Sequence, residues 1–445
     1  MVFLMLSTGI YLTLLTKGCI FTKFNIIIRY TAKTFFQNTD KSTAKKGAIS
    51  PFQAVCTALA ATVGTGNIVG VALAIAVGGP GAVFWMWISA LLGMVIKYCE
   101  VTLAQAYRTV NDRGEIVGGP MYYISNGLGM EWLAIVFVVF GSLASLGIGA
   151  SVQANALAGG LNSAFGVPTW LVGTLAALLG ALIFIGGIRR IANVTQLLVP
   201  FMSFLYIAGA IIVLVINITK IPSAFALIIK STFSGTAAGG GFLGASAMYA
   251  CRIGMARGVF THEAGMGSAP IAHASAHTDH PARQGLWGAF EVFFDSIVMC
   301  TITALVILTS GLWRDPTLLG DSRAMSSLAF ENAFAGGRYI VSIGICLFAF
   351  AAIIAWYYYG EKCIEYLSKG NRLIMCVYRL VYTAMIYIGC VASLDVVWEF
   401  ADVFNALMAV PNLIALILLS PVIRQLSDDF FRDPDTIRPK RTDFN

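Results

Sequence analysis

Small and polar residues interrupt an apolar stretch that begins near residue 57. The stretch 57 to 76 reads TALAATVGTGNIVGVALAIA, and glycine and threonine weaken a regular helix at its centre. A helix that unwinds at mid-bilayer exposes N–H groups at the start of its second half and carbonyl oxygens at the end of its first half. One such break can hold a carboxylate and a cation together. The interrupting residues are Thr62, Gly64, Thr65, Gly66 and Asn67.

Two interpretations of this first break stay open when it is considered alone. It forms a binding site, or Gly64 and Gly66 only allow close packing against a neighbouring helix. A second interruption favours the binding site: residues 258 to 268 read GVFTHEAGMGS within a hydrophobic segment too long for one straight crossing. A competing placement puts that break at residues 239 to 244. Arg252 and Arg257 support this alternative, because charge at mid-bilayer is costly.

The elements that carry both breaks are predicted to be membrane helices. The 445 residues are 58% hydrophobic and 11% charged, with a mean hydropathy of +0.79, so lipid must be the solvent of the fold. The breaks lie five spans apart, as expected for two five-helix repeats inverted about the membrane plane after an extra first helix. We therefore predict an all-α polytopic membrane protein. Its eleven spans cover residues 1–16, 52–77, 81–107, 131–160, 168–187, 195–217, 241–276, 285–310, 338–367, 374–393 and 398–423.

Charge patterning predicts the orientation of the chain in the membrane. The loop 17–50 carries seven lysines and arginines against one aspartate, which places it in the cytoplasm and the N-terminus outside. We expect one transmembrane domain over 1–423, made of an extra first helix at 1–16 and a ten-helix core at 52–423. Residues 424–445 are expected to form a short cytoplasmic tail. One chain is expected to function alone in an inner or plasma membrane.

Several function classes are disfavoured by the residues present. The nine cysteines are scattered without metal-ligand spacing, and no nucleophile and base are paired at depth, so we expect neither an enzyme nor catalytic residues. The net charge of +7 lies in loops and forms no stripe for nucleic acid. His273 and His277 have an i, i+4 spacing that can bind zinc, but no HExxH motif accompanies them and we expect no metal site.

Eight ordered blocks extend over nearly the whole chain and identify a family resemblance. They read TALAATVGTGNIVG, GGPGAVFWMW, KYCE, GGPMYYI, RGVF, EAGMGSAPIA, TDHP and WYYYGEKC. With these blocks the chain resembles the alanine or glycine:cation symporter family. The resemblance implies a leucine-transporter-type fold and alternating-access cotransport of a small neutral amino acid, such as alanine or glycine, with sodium.

The resemblance also implies a set of site residues. It places the substrate carboxylate near the N–H groups of Gly66 and Asn67. Gln153 can face the substrate or make a satisfied hydrogen bond between helices, and the aromatic residues can wall the pocket or fill the core. The implied substrate-binding residues are Thr65, Gly66, Asn67, Gln153, Asn155, Phe260, His262 and Trp356, and the implied ion-binding positions are Thr62, Gly64, Ala351 and Ala352.

Two departures from the family pattern bear on the coupling ion. Ala351 and Ala352 stand where the family usually has a serine and a threonine, so two hard oxygen ligands for sodium are missing. His262 stands where asparagine is more common, and histidine can carry a proton near neutral pH. One hypothesis is reduced sodium dependence with proton coupling. The other is that sodium coordination shifts to backbone carbonyls with Thr62 or Thr65, while His262 makes a fixed hydrogen bond.

Buried charges outside the proposed pocket are expected to be structural. Asp295 lies in the apolar run FFDSIVMC, where a packing or hydrogen-bonding role is favoured over a functional one. Glu263 is expected to pair with Arg257 or to cap a half-helix. Lys97 and Glu100 are expected to be interfacial anchors or gate-side ion pairs, as are Glu361 and Lys362. An amino-acid sensor on a transporter fold and a glutamine-preferring transporter stay as alternative functions.

Overall fold

The computed structural model describes residues 2–32, 48–233, 247–318, 322–392 and 394–436, and within residues 394–402 only the backbone. The first half of this part is helical apart from one short hairpin. Its helices are α1 (Val2–Leu15), α2 (Cys19–Thr22), α3 (Phe24–Tyr30), α4 (Pro51–Thr62), α5 (Val71–Gly78), α6 (Ala82–Ala106), α7 (Pro120–Tyr122), α8 (Glu131–Ala144), α9 (Gln153–Phe165), α10 (Thr169–Phe184), α11 (Gly187–Ile216) and α12 (Ile221–Phe233), with strands β1 (Thr109–Val110) and β2 (Ile116–Val117).

The regular secondary structure in the second half of the described part consists of helices. Its helices are α13 (Ala247–His262), α14 (Ala269–Ala274), α15 (Pro281–Val292), α16 (Thr301–Ser310), α17 (Ser322–Glu331), α18 (Gly337–Ser368), α19 (Arg372–Val391), α20 (Leu394–Leu418) and α21 (Ser420–Arg432). Wider π-helical turns cover Gly66–Gly70, Tyr123–Gly127, Ser145–Val152 and Phe293–Cys300, and 3-10 turns cover Ile218–Lys220 and Leu312–Arg314.

The chain is a multi-pass membrane protein by the length and apolarity of its helices. Six described helical stretches are long and apolar enough to cross a bilayer, and the number rises to eight if each bent pair is one span. The predicted count of eleven spans and the inverted arrangement of repeats stay predictions.

The predicted interruption in the second span is present. A capping box of Ser50 and Gln53 starts α4, with a proline at its first position. α4 ends at Thr62, Val63 leaves the helical region with ψ 88°, and the π-helical turn Gly66–Gly70 leads into α5. The two halves are bent by 49°. Residues 62 to 67 therefore do not form one uninterrupted helix.

The second break also occurs within the stretch favoured from the sequence. α13 ends at His262 and α14 starts at Ala269. Between them Glu263, Gly265 and Gly267 adopt φ values of 51°, 88° and 79°, which reverse the chain direction locally. The competing placement at residues 239 to 244 lies outside the described residues.

Several segments expected to be loop or tail contain helices. α2 and α3 lie in the predicted loop 17–50, and α7 lies between the third and fourth predicted spans. α12 and α17 fall in stretches that we interpreted as extramembrane loops, and α21 occupies much of the predicted tail. In α21 an apolar face, which includes Ile423, Phe430 and Phe431, is buried. Amphipathic periodicity over only 13 residues is easily overlooked beside long apolar spans, and this is why the helix was missed.

Glycines bring α15 into close contact with α6. A Cβ on Gly288 would lie 3.0 Å from the Lys97 carbonyl oxygen, and one on Gly285 would lie 2.8 Å from the Tyr98 ring. Small residues at a helix interface allow the backbones to approach in this way. The contact fixes the positions of the buried polar residues on both helices.

Candidate substrate and ion site

The first break lies inside the protein. Thr62, Thr65 and Asn67 are each at most 3% exposed. The amide Oδ1 of Asn67 accepts a hydrogen bond of 2.9 Å from the Gly64 N–H, and the Asn67 N–H donates to the Gly64 carbonyl at 3.3 Å. The Asn67 side chain therefore satisfies a backbone donor that the break has released.

Gln153 is brought to the first break by α9. The Thr65 hydroxyl donates to Gln153 Oε1 at 3.2 Å, and a Cβ on Gly64 would lie 3.8 Å from the same oxygen. Gln153 begins α9 directly after the π-helical turn Ser145–Val152. Such turns rotate the residues that follow them and are frequent at functional sites. Gln153 thus lies beside the break and makes a hydrogen bond between helices, while its contact with substrate stays a prediction.

Phe260 lies against the first break from the second broken helix. A Cβ on Gly66 would lie 3.3 Å from Phe260 Cδ1 and 2.9 Å from Thr261 Cγ2. The absence of a side chain on Gly66 is therefore required for α13 to approach. The structure brings together Gly64, Thr65, Gly66, Gln153 and Phe260.

A polar network that the sequence did not predict continues from Asn67. Its Nδ2 donates to Asp295 Oδ1 at 2.7 Å and to the Asp295 carbonyl at 3.0 Å. The Ser296 hydroxyl donates to Asp295 Oδ2 at 2.7 Å, and Thr261 Oγ1 lies 3.3 Å from Ser296 Oγ. Asp295 is fully buried and makes no ion pair within the described residues. A carboxylate in an apolar run is the only sequence signal that could have found this network.

Trp356 connects the second break to the π-helical turn before Gln153. Its Nε1 donates to Glu263 Oε1 at 3.0 Å, and its Cβ packs against the backbone of Gly149. The Ser268 hydroxyl donates to the other oxygen of Glu263 at 2.6 Å. Glu263 thus binds Trp356 and Ser268.

Two implied substrate ligands face away from the first break, and these expectations are corrected. His262 lies against α6, where Nε2 is 3.0 Å from Ser89 Oγ and Nδ1 accepts from the Ala264 N–H at 3.0 Å. Asn155 donates to the Gly389 and Ala392 carbonyls at the end of α19, at 3.2 and 2.9 Å. Each side chain lies on a helix face that packs against a neighbouring helix. His262 of α13 faces α6, and Asn155 of α9 faces the end of α19, so each bonds to groups there.

The implied ion positions lie on two helices that pack together. Thr62 donates to the Ala58 carbonyl at 3.3 Å, within α4. Ala351 and Ala352 are fully buried in α18, which packs against α4. Methyl groups supply no oxygen, so any cation held here depends on backbone carbonyls and on Thr62.

The histidine pair does not have the predicted helical spacing. α14 ends at Ala274, so His273 and His277 do not share one helix. His273 Nε2 lies 3.1 Å from Glu291 Oε2, and its Nδ1 lies 2.8 Å from Gln284 Nε2. Among the residues that the structure describes, no three histidine, cysteine or acidic side chains are grouped to hold a metal.

Lys97 and Glu100 are not interfacial anchors. Both are fully buried, and Lys97 Nζ lies 3.5 Å from Glu291 Oε1. Glu100 Oε1 accepts from the Gly267 N–H at 3.1 Å and from Asn412 Nδ2 at 2.5 Å. Glu100 therefore satisfies a backbone donor of the second break, a role that its sequence position did not indicate.

The second predicted pair of charges does form ion pairs, at one end of α18. Glu361 Oε1 lies 3.2 Å from an Arg379 nitrogen, and Lys362 Nζ lies 3.2 Å from Glu115 and 2.6 Å from Glu365. Glu115 belongs to the turn between β1 and β2. Partial burial is the largest single influence and would raise the pKa of Glu115. The charge and hydrogen bond of Lys362, together with Asn111 and Arg113, outweigh it and hold that pKa below its ordinary value.

Two broken helices that meet at a buried polar site define a secondary transporter of small solutes. The solved structure of MhsT in complex with L-phenylalanine shares the fold, with a TM-score of 0.60 at 13% identity over 86% of this chain and 99% of that one. The family model of the sodium:alanine symporter family matches residues 1–442, and the chain belongs to that family.

Curated relatives agree with this assignment. A sodium/alanine symporter, AgcS, from Methanococcus maripaludis is 45% identical over 430 residues, which are 95% of this chain and 92% of the relative. GlnT from Bacillus subtilis, named a probable sodium/glutamine symporter, is 43% identical over 434 residues, which are 97% of this chain and 88% of the relative. The chain is a cation-coupled amino-acid transporter and not an enzyme.

Proposed function

We propose that this protein couples the uptake of a small neutral amino acid, alanine or glycine, to sodium entry by alternating access. The observation that carries the proposal is the buried first break, with Thr65 and Gln153 on one side and Phe260 on the other. The amide of Gln153 orients the substrate, and the N–H groups of Gly66 and Asn67 receive its carboxylate. Ten helices after the first form the inverted repeats that move around this site.

The proposed sodium site lies where the first break faces α18. Backbone carbonyls at the end of α4 and the hydroxyl of Thr62 supply oxygen ligands, while Ala351 and Ala352 shape the site without binding the ion. Asp295 adds a negative charge to the same break through Asn67. A carboxylate in this position favours a cation in the site by direct electrostatic attraction.

We propose no proton-coupling role for His262. Its Nε2 lies 3.0 Å from Ser89 Oγ, and its Nδ1 accepts a hydrogen bond from the Ala264 N–H, which supports a fixed structural role. We therefore propose sodium as the coupling ion at the first break, with His262 as a packing residue.

Counterflow in proteoliposomes tests the transport function. Vesicles loaded with unlabelled alanine are diluted into labelled alanine, with sodium or with choline on both sides. We expect transient accumulation of label with sodium and at least a tenfold lower rate with choline. A sensor would bind alanine without exchanging it, so saturable binding without counterflow would overturn the proposal.

The substrate class is tested by competition in the same vesicles. The family resemblance implies that Phe260 and Trp356 wall the substrate pocket, and two such large side chains would leave room for only a small substrate. We therefore expect alanine, glycine or serine to compete, and glutamine to compete at least tenfold more weakly. One relative bears the name of a glutamine symporter, which makes glutamine the informative competitor. Stronger competition by glutamine than by alanine would assign the protein to the glutamine-preferring alternative.

A further inference from the structure

A cluster of ionisable side chains lies inside the helix bundle, apart from the first break. We use the name buried ion cluster for Lys97 of α6, His273 of α14, and Gln284 and Glu291 of α15, all 0% exposed. Glu291 connects them, with one oxygen 3.5 Å from Lys97 Nζ and the other 3.1 Å from His273 Nε2. The transport function described above does not use any of these four residues.

The cluster links elements that must move relative to one another during transport. His273 lies on the second half of the broken helix, and its carbonyl accepts a hydrogen bond from Gln105 of α6. Gly285 and Gly288 hold α15 against α6 and so keep Glu291 beside Lys97. A change of charge at His273 therefore alters the hydrogen bonds and the electrostatic energy of the contact between α14 and α15, next to α6.

The surroundings of Lys97, which shares Glu291 with His273, carry an excess of negative charge. Lys97 also interacts electrostatically with Glu100 of α6, with Glu263 of the second break and with Asp295. α18 contributes the phenols of Tyr358 and Tyr359, which are neutral and leave the balance unchanged. Four carboxylates thus interact with one ammonium when all are ionised. Buried uncompensated charge is costly in a membrane protein, so one additional proton stabilises this arrangement.

The Gln284 side chain can form a hydrogen bond with either protonation state of His273. In the structure Gln284 Nε2 lies 2.8 Å from His273 Nδ1, so Nδ1 accepts and Nε2 donates to Glu291, as in a neutral imidazole. The Oε1 atom of Gln284 is buried and has no hydrogen-bond partner among the described residues. A half-turn of the amide places Oε1 against Nδ1, where it accepts a proton from an imidazolium.

We propose that the buried ion cluster is a proton-binding site in which His273 takes the proton. A solvent proton forms the Nδ1–H bond, the Gln284 amide turns to accept it, and the imidazolium is held between Gln284 and Glu291. Deprotonation to water reverses the step. Protonation tightens the contact of α14 with α15, so the rate of the conformational change depends on pH. The readout by exchange rests on the proposed transport function.

The experiment measures alanine exchange in proteoliposomes at equal pH inside and outside, from pH 5 to 9, with saturating sodium on both sides. We expect the wild-type exchange rate to change at least fivefold along a single sigmoid. The rate of His273→Gln is expected to be independent of pH. Gln284→Glu stabilises the imidazolium and is expected to move the midpoint to higher pH by at least one unit. His262→Asn is the matched control and keeps the wild-type midpoint.

Either of two outcomes of the exchange measurement overturns the proposal. They are a wild-type rate that does not depend on pH, and a wild-type midpoint retained in His273→Gln. If His273→Gln does not fold, the midpoint of Gln284→Glu decides alone. If the wild type shows no exchange at all, the transport function fails and proton binding is read separately, by NMR of protein labelled with 15N-histidine. A resonance assigned to His273 that does not titrate between pH 5 and 9 then overturns the site.

Discussion

Among single residues, the proposed substrate binding depends on which amide side chains face the first break. Gln153 accepts a hydrogen bond from Thr65 in the break, whereas Asn155, two positions later, donates to carbonyls of α19. Two amides so close in sequence therefore have different neighbours. Because a helix turns by about 100° per residue, such a separation is expected when one face meets the site.

Replacing Gln153 with alanine is expected to weaken substrate binding. Loss of a hydrogen bond to a charged group costs about 1.5–3 kcal/mol, so the KM for alanine is expected to rise roughly tenfold or more. Asn155→Ala is the matched control. It removes hydrogen bonds to α19 and is expected to lower the thermal unfolding temperature while the KM stays near the wild-type value. A larger KM effect in Asn155→Ala than in Gln153→Ala would contradict the assigned site.

Gly66 offers a second test at this scale. Gly66→Val places methyl groups where Thr261 Cγ2 already lies 2.9 Å from a Cβ, so the two broken helices must separate. We expect uptake to fall at least tenfold while the protein is still inserted in the membrane. Gly70→Val belongs to the same π-helical turn, and a Cβ there meets nothing within 4 Å, so uptake is expected to change less than twofold. An equal loss of uptake in both variants would contradict the steric explanation, because a change in helix propensity alone would then account for both.

Among the secondary-structure elements, the hairpin of β1 and β2 is held against the end of α18 by an ion pair and a hydrogen bond. Glu115 bonds to Lys362, and Asn111 donates to Glu365 at 2.7 Å. The hairpin has two residues in each strand, so its own hydrogen bonds provide little stability. Its position therefore depends on these contacts with α18.

Acidification is expected to release the hairpin. The pKa of Glu115 is lowered in the folded protein, so its stabilising contribution is present above its ordinary pKa of 4.5 and is lost as the pH falls through the folded-state pKa. Hydrogen-exchange protection of residues 109–117, corrected for intrinsic rates, is expected to fall between pH 6 and 3.5. Glu115→Gln is expected to show reduced protection already at pH 6. Protection that is the same in variant and wild type at pH 6 would contradict the role of this ion pair.

The sequence predicted the helices better than their contacts. Long apolar runs locate spans because the bilayer imposes their length, and the glycines around Thr65 and Gly265 located both breaks because helices need regular backbone. The Asn67 to Asp295 contact joins residues 228 apart, and the direction in which His262 points is set by α6. Such pairings follow from tertiary packing, which hydropathy does not report.

For the molecule as a whole, the segment that follows α1 meets the C-terminal part of the described chain on one face. Lys23 donates to the Phe431 carbonyl at 3.0 Å, and Tyr30 donates to the Pro434 carbonyl at 2.9 Å. The described residues 17–32 that follow α1 and the segment around α21 thus lie on the same side. This arrangement agrees with the proposed orientation, in which both are cytoplasmic and the N-terminus is outside.

Fusion reporters test that orientation. A C-terminal green fluorescent protein is expected to fluoresce, because it folds in the cytoplasm. Alkaline phosphatase fused after residue 218, in the segment between α11 and α12, is expected to be active, because this segment is proposed to face outside. Phosphatase fused after residue 112, in the hairpin, serves as the control and is expected to be inactive. Inverted activities at these two positions would reverse the proposed topology.

The most direct measurement of the central claim is an experimental structure of the protein with sodium and alanine. We expect density for the amino acid between residues 64–67 and Gln153, with its carboxylate toward Gly66 and Asn67 and its methyl group toward Phe260. Alanine bound elsewhere, with the first break closed around its own side chains, would show that the first break is not the substrate site.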